Sequence, residues 1–347
     1  MRKVNPIASI IVLLVTLAAC FGGSYIYLQN AKKEFAAAES ELPESALTAY
    51  LEKVEKKDFD GLYEDSLIVS KHLNSKDAYI AKMEEIYGNV KVSDIEYAEV
   101  EGTSEYKLAS NGKYLATVEL LQNSDGSYIA STIFSGDNNY VLEVPTGLQP
   151  VVNGITLDNS YLTESNVVAS NFDGVESNES AVKVDKYALD NLLSYPESIS
   201  VVGDSSYVGI QDALSNTIFV GKSTTDLDDT FTSYAVTCAK FPAQEASVSD
   251  VAAISIRNSD WYSRISGMQN TWFTSHNVSN FSNVNAFDVI QQSDDTAIGH
   301  VSFDYYASNG EVDRTWHGGY QMTLIKESGT WKIASFGINV DLNPASN

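Results

Sequence analysis

The sequence predicts an α+β protein in which helices precede antiparallel strands twice over, behind an N-terminal membrane segment. Three observations carry this prediction. An uncharged apolar run fills residues 7–28. Apolar residues then recur with a helical period before residue 90 and again over 227–272, and after each block the period falls to two. Between the blocks, about 146–222 holds only short β-like runs.

The run Ile7–Leu28 reads IASIIVLLVTLAACFGGSYIYL. At about 1.5 Å rise per residue it is long enough for a hydrocarbon core of about 30 Å. A backbone in lipid must satisfy its own hydrogen bonds, so the expected form is a transmembrane helix. Arg2 and Lys3 precede it, and Lys32 and Lys33 follow, partly offset by Glu34. With no second apolar span, the expected topology is single-pass at the cell membrane, N-terminus cytoplasmic and bulk extracellular. A second reading stands beside it. Leu17-Ala18-Ala19-Cys20 has the form of a bacterial lipobox, which would make the chain a lipoprotein anchored at Cys20. The apolar character continuing through Phe21 and Tyr25–Leu28 favours the helix. Either anchor leaves the bulk outside.

Residues 29–42 form an Ala-, Glu- and Lys-containing stalk. Pro43 opens an amphipathic helix with Leu47, Tyr50, Leu51 and Val54 on one face. A short helix starts at Asp58, and a third spans 75–87 with Tyr79, Met83 and Ile86 inward and Gly88 at its end. Strands follow at 91–100, 105–109, 113–121 and 127–134, with hairpin turns at Asn111-Gly112 and Asp125-Gly126. This first domain is expected to cover 43–145. A small β domain, 146–222, comes next, with 170–185 as a surface loop. The last domain, 223–343, repeats the first order. Leu227, Phe231, Tyr234, Ala235 and Cys238 share one helix face, and Trp261, Ile265, Met268 and Trp272 another. Strands are expected at 284–291, 297–307, 312–326 and 330–340.

The formal net charge is −24, and the part beyond Arg2 and Lys3 is two units more negative still. That field repels phosphate backbones, so nucleic acid is excluded as a partner class, and anionic lipid surfaces are disfavoured. Of two cysteines, Cys20 lies in the apolar run, so Cys238 has no disulfide partner outside it.

PESALTAYLEKVEKKDFDGLYEDS, DAYIAKMEEIYG and the paired strands after them resemble the NTF2-like fold, in particular the N-terminal domain of MecA-type penicillin-binding proteins. TWHGGYQMTLIKESGTWKIASFGI is similar to the close of a second NTF2-like domain. VPTGLQPVVNGITLDNSYL and VDKYALDNLLSYPESISVVG resemble small β domains of anchored Gram-positive envelope proteins, TcaA-like ones among them. The resemblance implies two NTF2-like cone domains flanking a small β domain, tethered in a bacterial envelope. It departs from penicillin-binding enzymes in lacking a Ser-x-x-Lys nucleophile, since Ser70-Lys71 and Ser75-Lys76 have the wrong spacing.

Chemistry is sparse. On the strand 297–307, His300, Ser302, Asp304 and Tyr306 alternate onto one face. On the next, Trp316 and Tyr320 share a face and His317 takes the other. A His near a carboxylate serves as a general base and a Tyr polarises a carbonyl, so His300, Asp304 and Tyr320 are the catalytic candidates. The same alternation also describes the solvent face of a half-exposed sheet. His72, His276, His300 and His317 show no metal spacing, and no cofactor is indicated. Cys238 sits in an apolar stripe, as an inert thiol would. The expected function is a non-catalytic binding or spacing module, with an envelope protein or a small ligand as partner and an accessory role in cell-wall processes. The alternative is a small-molecule enzyme using the C-terminal cone.

Overall fold

The computed structural model describes residues 43–66, 71–133, 138–176, 180–268 and 275–346. The apolar run, Cys20, the stalk and Trp272 lie outside them. Among the described residues no helix is long and apolar enough to cross a membrane. The chain is mixed α and β, mostly sheet, and divides into two compact units.

The first unit reaches Ser135, except that His72–Asn74 belong to the second. Its helices are α1 (Pro43–Glu55), α2 (Phe59–Asp65) and α3 (Lys76–Tyr87). Asp58 caps α2 by accepting from Gly61 N–H, and Ser75 caps α3 by accepting from Ala78 N–H. Gly88 caps the end of α3 in a right-handed conformation, not the left-handed one that the glycine suggests. Strands β1 (Ile95–Glu99), β2 (Glu105–Ser110), β3 (Lys113–Gln122) and β4 (Tyr128–Thr132) form an antiparallel meander in that order. Leu47, Tyr50, Val54, Tyr79, Met83 and Tyr87 are buried, as are Leu108, Val118 and Leu120. Tyr87, one position beyond the expected Ile86, completes the inward face of α3 at i, i+4, i+8. The phenols inside are not left bare: Tyr50 Oη donates to Tyr87 Oη at 3.1 Å and bonds Thr132 Oγ1.

In the second unit the sheets cross the expected domain borders. β5 (Asn138–Pro145) is not the end of the first unit. It pairs antiparallel with β9 (Lys183–Leu192) and parallel with β12 (Thr217–Ser223). β12 in turn meets β13 (Val278–Ser293), which continues through β14 (Thr296–Ser308), β15 (Asp313–Glu327) and β16 (Thr330–Ile338). β8 (Leu162–Val168) and β11 (Tyr207–Gln211) complete a nine-stranded sheet. The middle segment and the C-terminal strands therefore share one sheet. Only β6 (Pro150–Val152), β7 (Ile155–Thr156) and β10 (Ile199–Val201) form a separate small one.

The expected surface loop at 170–185 is in part surface, but its two ends enter the core. Ala169, Phe172, Ala181, Val182 and Val184 pack with Ile256, Ile325 and Ala334. Asn171 Nδ2 donates to Gln292 Oε1 at 2.7 Å beneath them. Helices α4 (Asp228–Lys240), α5 (Val248–Ala253) and α6 (Asp260–Gly267) cover one face of the long strands. Phe231, Ala235, Cys238, Trp261 and Ile265 meet Val301, Phe303, Tyr320, Met322 and Leu324 there. Met268 lies past the end of α6 and is exposed.

Candidate functional site

β14 is buried on both faces. Its odd positions, Val301, Phe303, Tyr305 and Ala307, face the helices. Its even positions, His300, Ser302 and Asp304, are buried on the opposite side, and Tyr306 is half-buried. This is not the solvent face of an open sheet. In register, Val301 pairs with Tyr320 and Asp304 with His317. Tyr320 thus lies on the helix side, its ring 4.9 Å from Phe303 and 4.7 Å from Phe336. His300, Asp304 and Tyr320 do not converge. Tyr320 is across the sheet from the other two, and His300 and Asp304 are four residues apart, about 13 Å at 3.3 Å per residue.

Two glycines shape this region. A Cβ on Gly318 would stand 2.2 Å from the Phe303 ring, and one on Gly319 would stand 2.1 Å from Asn339 O. The first opening seats an aromatic ring on the helix side. The second lets the C-terminal segment 339–343 lie over the opposite side.

That segment closes a polar knot around Asp304. Asn343 Nδ2 donates to Phe303 O at 2.8 Å and lies 3.2 Å from Asp304 Oδ1. His317 Nδ1 is 2.7 Å from the same oxygen, and Asn283 Nδ2 donates to Oδ2 at 2.7 Å. The bond to His317, then that to Asn283, holds the Asp304 carboxyl below its usual range. Because Nδ1 serves the carboxylate, Nε2 of the half-exposed His317 points away from it. This is an oriented acid–imidazole pair of the kind that positions a base.

His300 belongs to a second network. The amide of Gln321 is oriented by two partners: Oε1 accepts from Ala213 N–H at 2.7 Å, and Nε2 donates to Asp212 Oδ1 at 2.6 Å. His300 Nε2, 3.0 Å from that Oε1, therefore carries a proton. Its Nδ1 lies 3.3 Å from Asp288 Oδ2.

Both networks depend on bulges in β13. Register shifts fall between Ser282 and Asn285 and between Phe287 and Ile290. Asn283 and Asp288, each at φ 51°, sit in them and turn their side chains onto Asp304 and His300. The second bulge borders a cavity of about 380 Å³. Its walls are Val208, Gly209 and Ile210 of β11, Ser223–Thr225, Asp228 at the start of α4, and 286–290 of β13.

Sequence reasoning missed a further cluster on the helix side. Tyr305 Oη donates to Glu245 Oε1, and His276 Nε2 is 3.1 Å from that oxygen. Burial first, then Glu245, pushes the Tyr305 phenol up. These groups come from three places in the chain with no shared motif. Cys238 is buried, and burial pushes its thiol up to about 12, the opposite of a reactive thiolate. Among the described residues no three His, Cys, Asp or Glu side chains are grouped to hold a metal ion.

No protein-family model matches the chain, and no curated protein does. Among solved structures, one similar to it is an Ntf2 like protein involved in plasmid conjugation. It shares 8% identity, covers 71% of this chain and 74% of its own, and superposes at a TM-score of 0.24. At that score the likeness carries no argument about function.

Proposed function

We propose that this chain is a non-catalytic binding or spacing protein, tethered by residues 7–28 with its acidic bulk outside the cell, serving a cell-envelope process. One observation carries the non-catalytic reading. The acid–base candidates are divided between two faces of one sheet, and His300 and Asp304 are each committed to a separate structural network. Two cones of NTF2-like type fit the order of elements. In each unit, helices precede a block of antiparallel strands, β1–β4 and β13–β16. The strands β5, β8, β9, β11 and β12 then act as an extension of the second cone, with β6, β7 and β10 as a small sheet beside it.

Crosslinking in intact cells followed by pull-down tests the role. Reproducible capture of an envelope component supports it, and capture of none counts against it. Cys20→Ser tests the anchor: unchanged membrane retention supports the helix, while lost processing supports the lipid. The oriented Asp304–His317 pair favours a second reading, a hydrolytic or proton-transfer enzyme. Turnover of ester or amide substrates that His317→Gln abolishes would replace the first reading.

A further inference from the structure

We propose that the groove at the second bulge of β13 binds small organic cations, an ammonium head carried on a one-ring or short aliphatic body. The proposal rests on the binding-module reading and names the ligand class for it.

Size and wall chemistry carry the argument. About 380 Å³ lies within the range of small-molecule sites and suits a single-ring compound. Val208, Ile210, Phe287 and Val289 supply apolar wall, and Phe287 adds an aromatic face of the kind that attracts an ammonium. Two carboxylates, Asp228 and Asp288, border the same space, and among the described residues no lysine or arginine lines it. Among the described residues Asp228 takes part in no salt bridge; it stands in the first turn of α4, where the helix dipole favours its carboxylate form.

Asp288 is the better-positioned of the two. Its backbone is held left-handed by the bulge, and its Oδ2 meets buried His300, which Gln321 and Asp212 hold from behind. The side chain is nevertheless 55% exposed, so the carboxylate remains available to a ligand. An anion would meet repulsion from both acids. A neutral molecule would gain only the apolar wall. A cation satisfies both acids and the ring together.

Ligand-observed saturation-transfer NMR on the full-length protein tests this with benzylammonium, benzyl alcohol and benzoate. Benzylammonium is expected to bind about tenfold more tightly than the alcohol, from two exposed charge contacts and one ring contact. Asp228→Asn and Asp288→Asn should each weaken it about threefold while leaving the alcohol unchanged. Asparagine tolerates the left-handed backbone at 288, so that variant keeps the bulge. Equal binding of benzyl alcohol and benzylammonium would overturn the cation assignment and leave the groove as a binding site. Absence of benzylammonium transfer, or transfer that both variants leave intact, would overturn the site itself. The binding-module role would then still stand or fall on the crosslinking result.

Discussion

At Asp304, His317, Asn283 and Asn343 together hold one carboxylate below the usual carboxyl value of 3.8. A carboxyl depressed by folding adds stability that is present above its unfolded value and is lost as pH falls through the folded one. The pH window therefore lies below 3.8, not near neutrality. Asp304→Asn removes this contribution and leaves donors facing an amide. In chemical denaturation between pH 7 and pH 2, the stability gap between wild type and Asp304→Asn should be widest above pH 4 and narrow steadily below it. A gap constant with pH would mean that the carboxylate's charge is irrelevant to the knot. Asp125, Asp185 and other depressed carboxyls keep part of the acid slope in both proteins, so the gap is the informative quantity.

The bulges of β13 depend on left-handed backbone at Asn283 and Asp288. Asn283 has φ 51°, a region a β-branched residue enters only with strain. Asn283→Val should cost roughly 2 kcal/mol or more, combining that strain with loss of the bond to Asp304. Asn283→Gly keeps the backbone and loses only the bond, about 1 kcal/mol. Thermal melts of both variants check the order, and equal costs would show that the backbone there is unstrained. The bulges also mark where sequence reasoning stops. Alternation on β14 correctly puts His300 and Asp304 on one face and His317 opposite Trp316 and Tyr320, because period two follows from the pleat. It says nothing of Asp288 or Asn283, whose aim depends on an extra residue in the partner strand. The meander of the first unit was legible for the same reason as β14, and its amphipathic helices were legible from their 3.6-residue period. β8 was not: its burial runs half-exposed and exposed without alternation, so no periodic signal exists. The stretch 170–185 was legible only in part: its Asn, Ser and Glu content resembles a loop, and 173, 174, 176, 180 and 183 are exposed, while Phe172, Ala181, Val182 and Val184 enter the core.

For the whole molecule, a net charge of −24 sets how stability responds to salt. Asp and Glu number 46 against 22 Lys and Arg, and the lysine pairs on the first unit, such as Lys56–Glu52 and Lys82–Glu85, are mostly exposed. Exposed pairs contribute little, about 0–1 kcal/mol each. More than half of the carboxylates thus have no Lys or Arg to pair with, and a compact state holds them closer together than an unfolded chain does. Raising ionic strength from 0.01 M to 0.15 M shortens the screening length from about 30 Å to about 8 Å, which relieves repulsion across the surface more than it weakens close pairs. The unfolding temperature at pH 7 should therefore rise with added sodium chloride, the reverse of a fold held by surface ion pairs. The effect should fade toward pH 4.4, where the net charge vanishes. Calorimetry across that grid separates the two cases. A melting temperature that falls with salt at pH 7 would mean that the networks around Asp304 and Asp288 outweigh the global repulsion, and that the acidic surface is balanced locally.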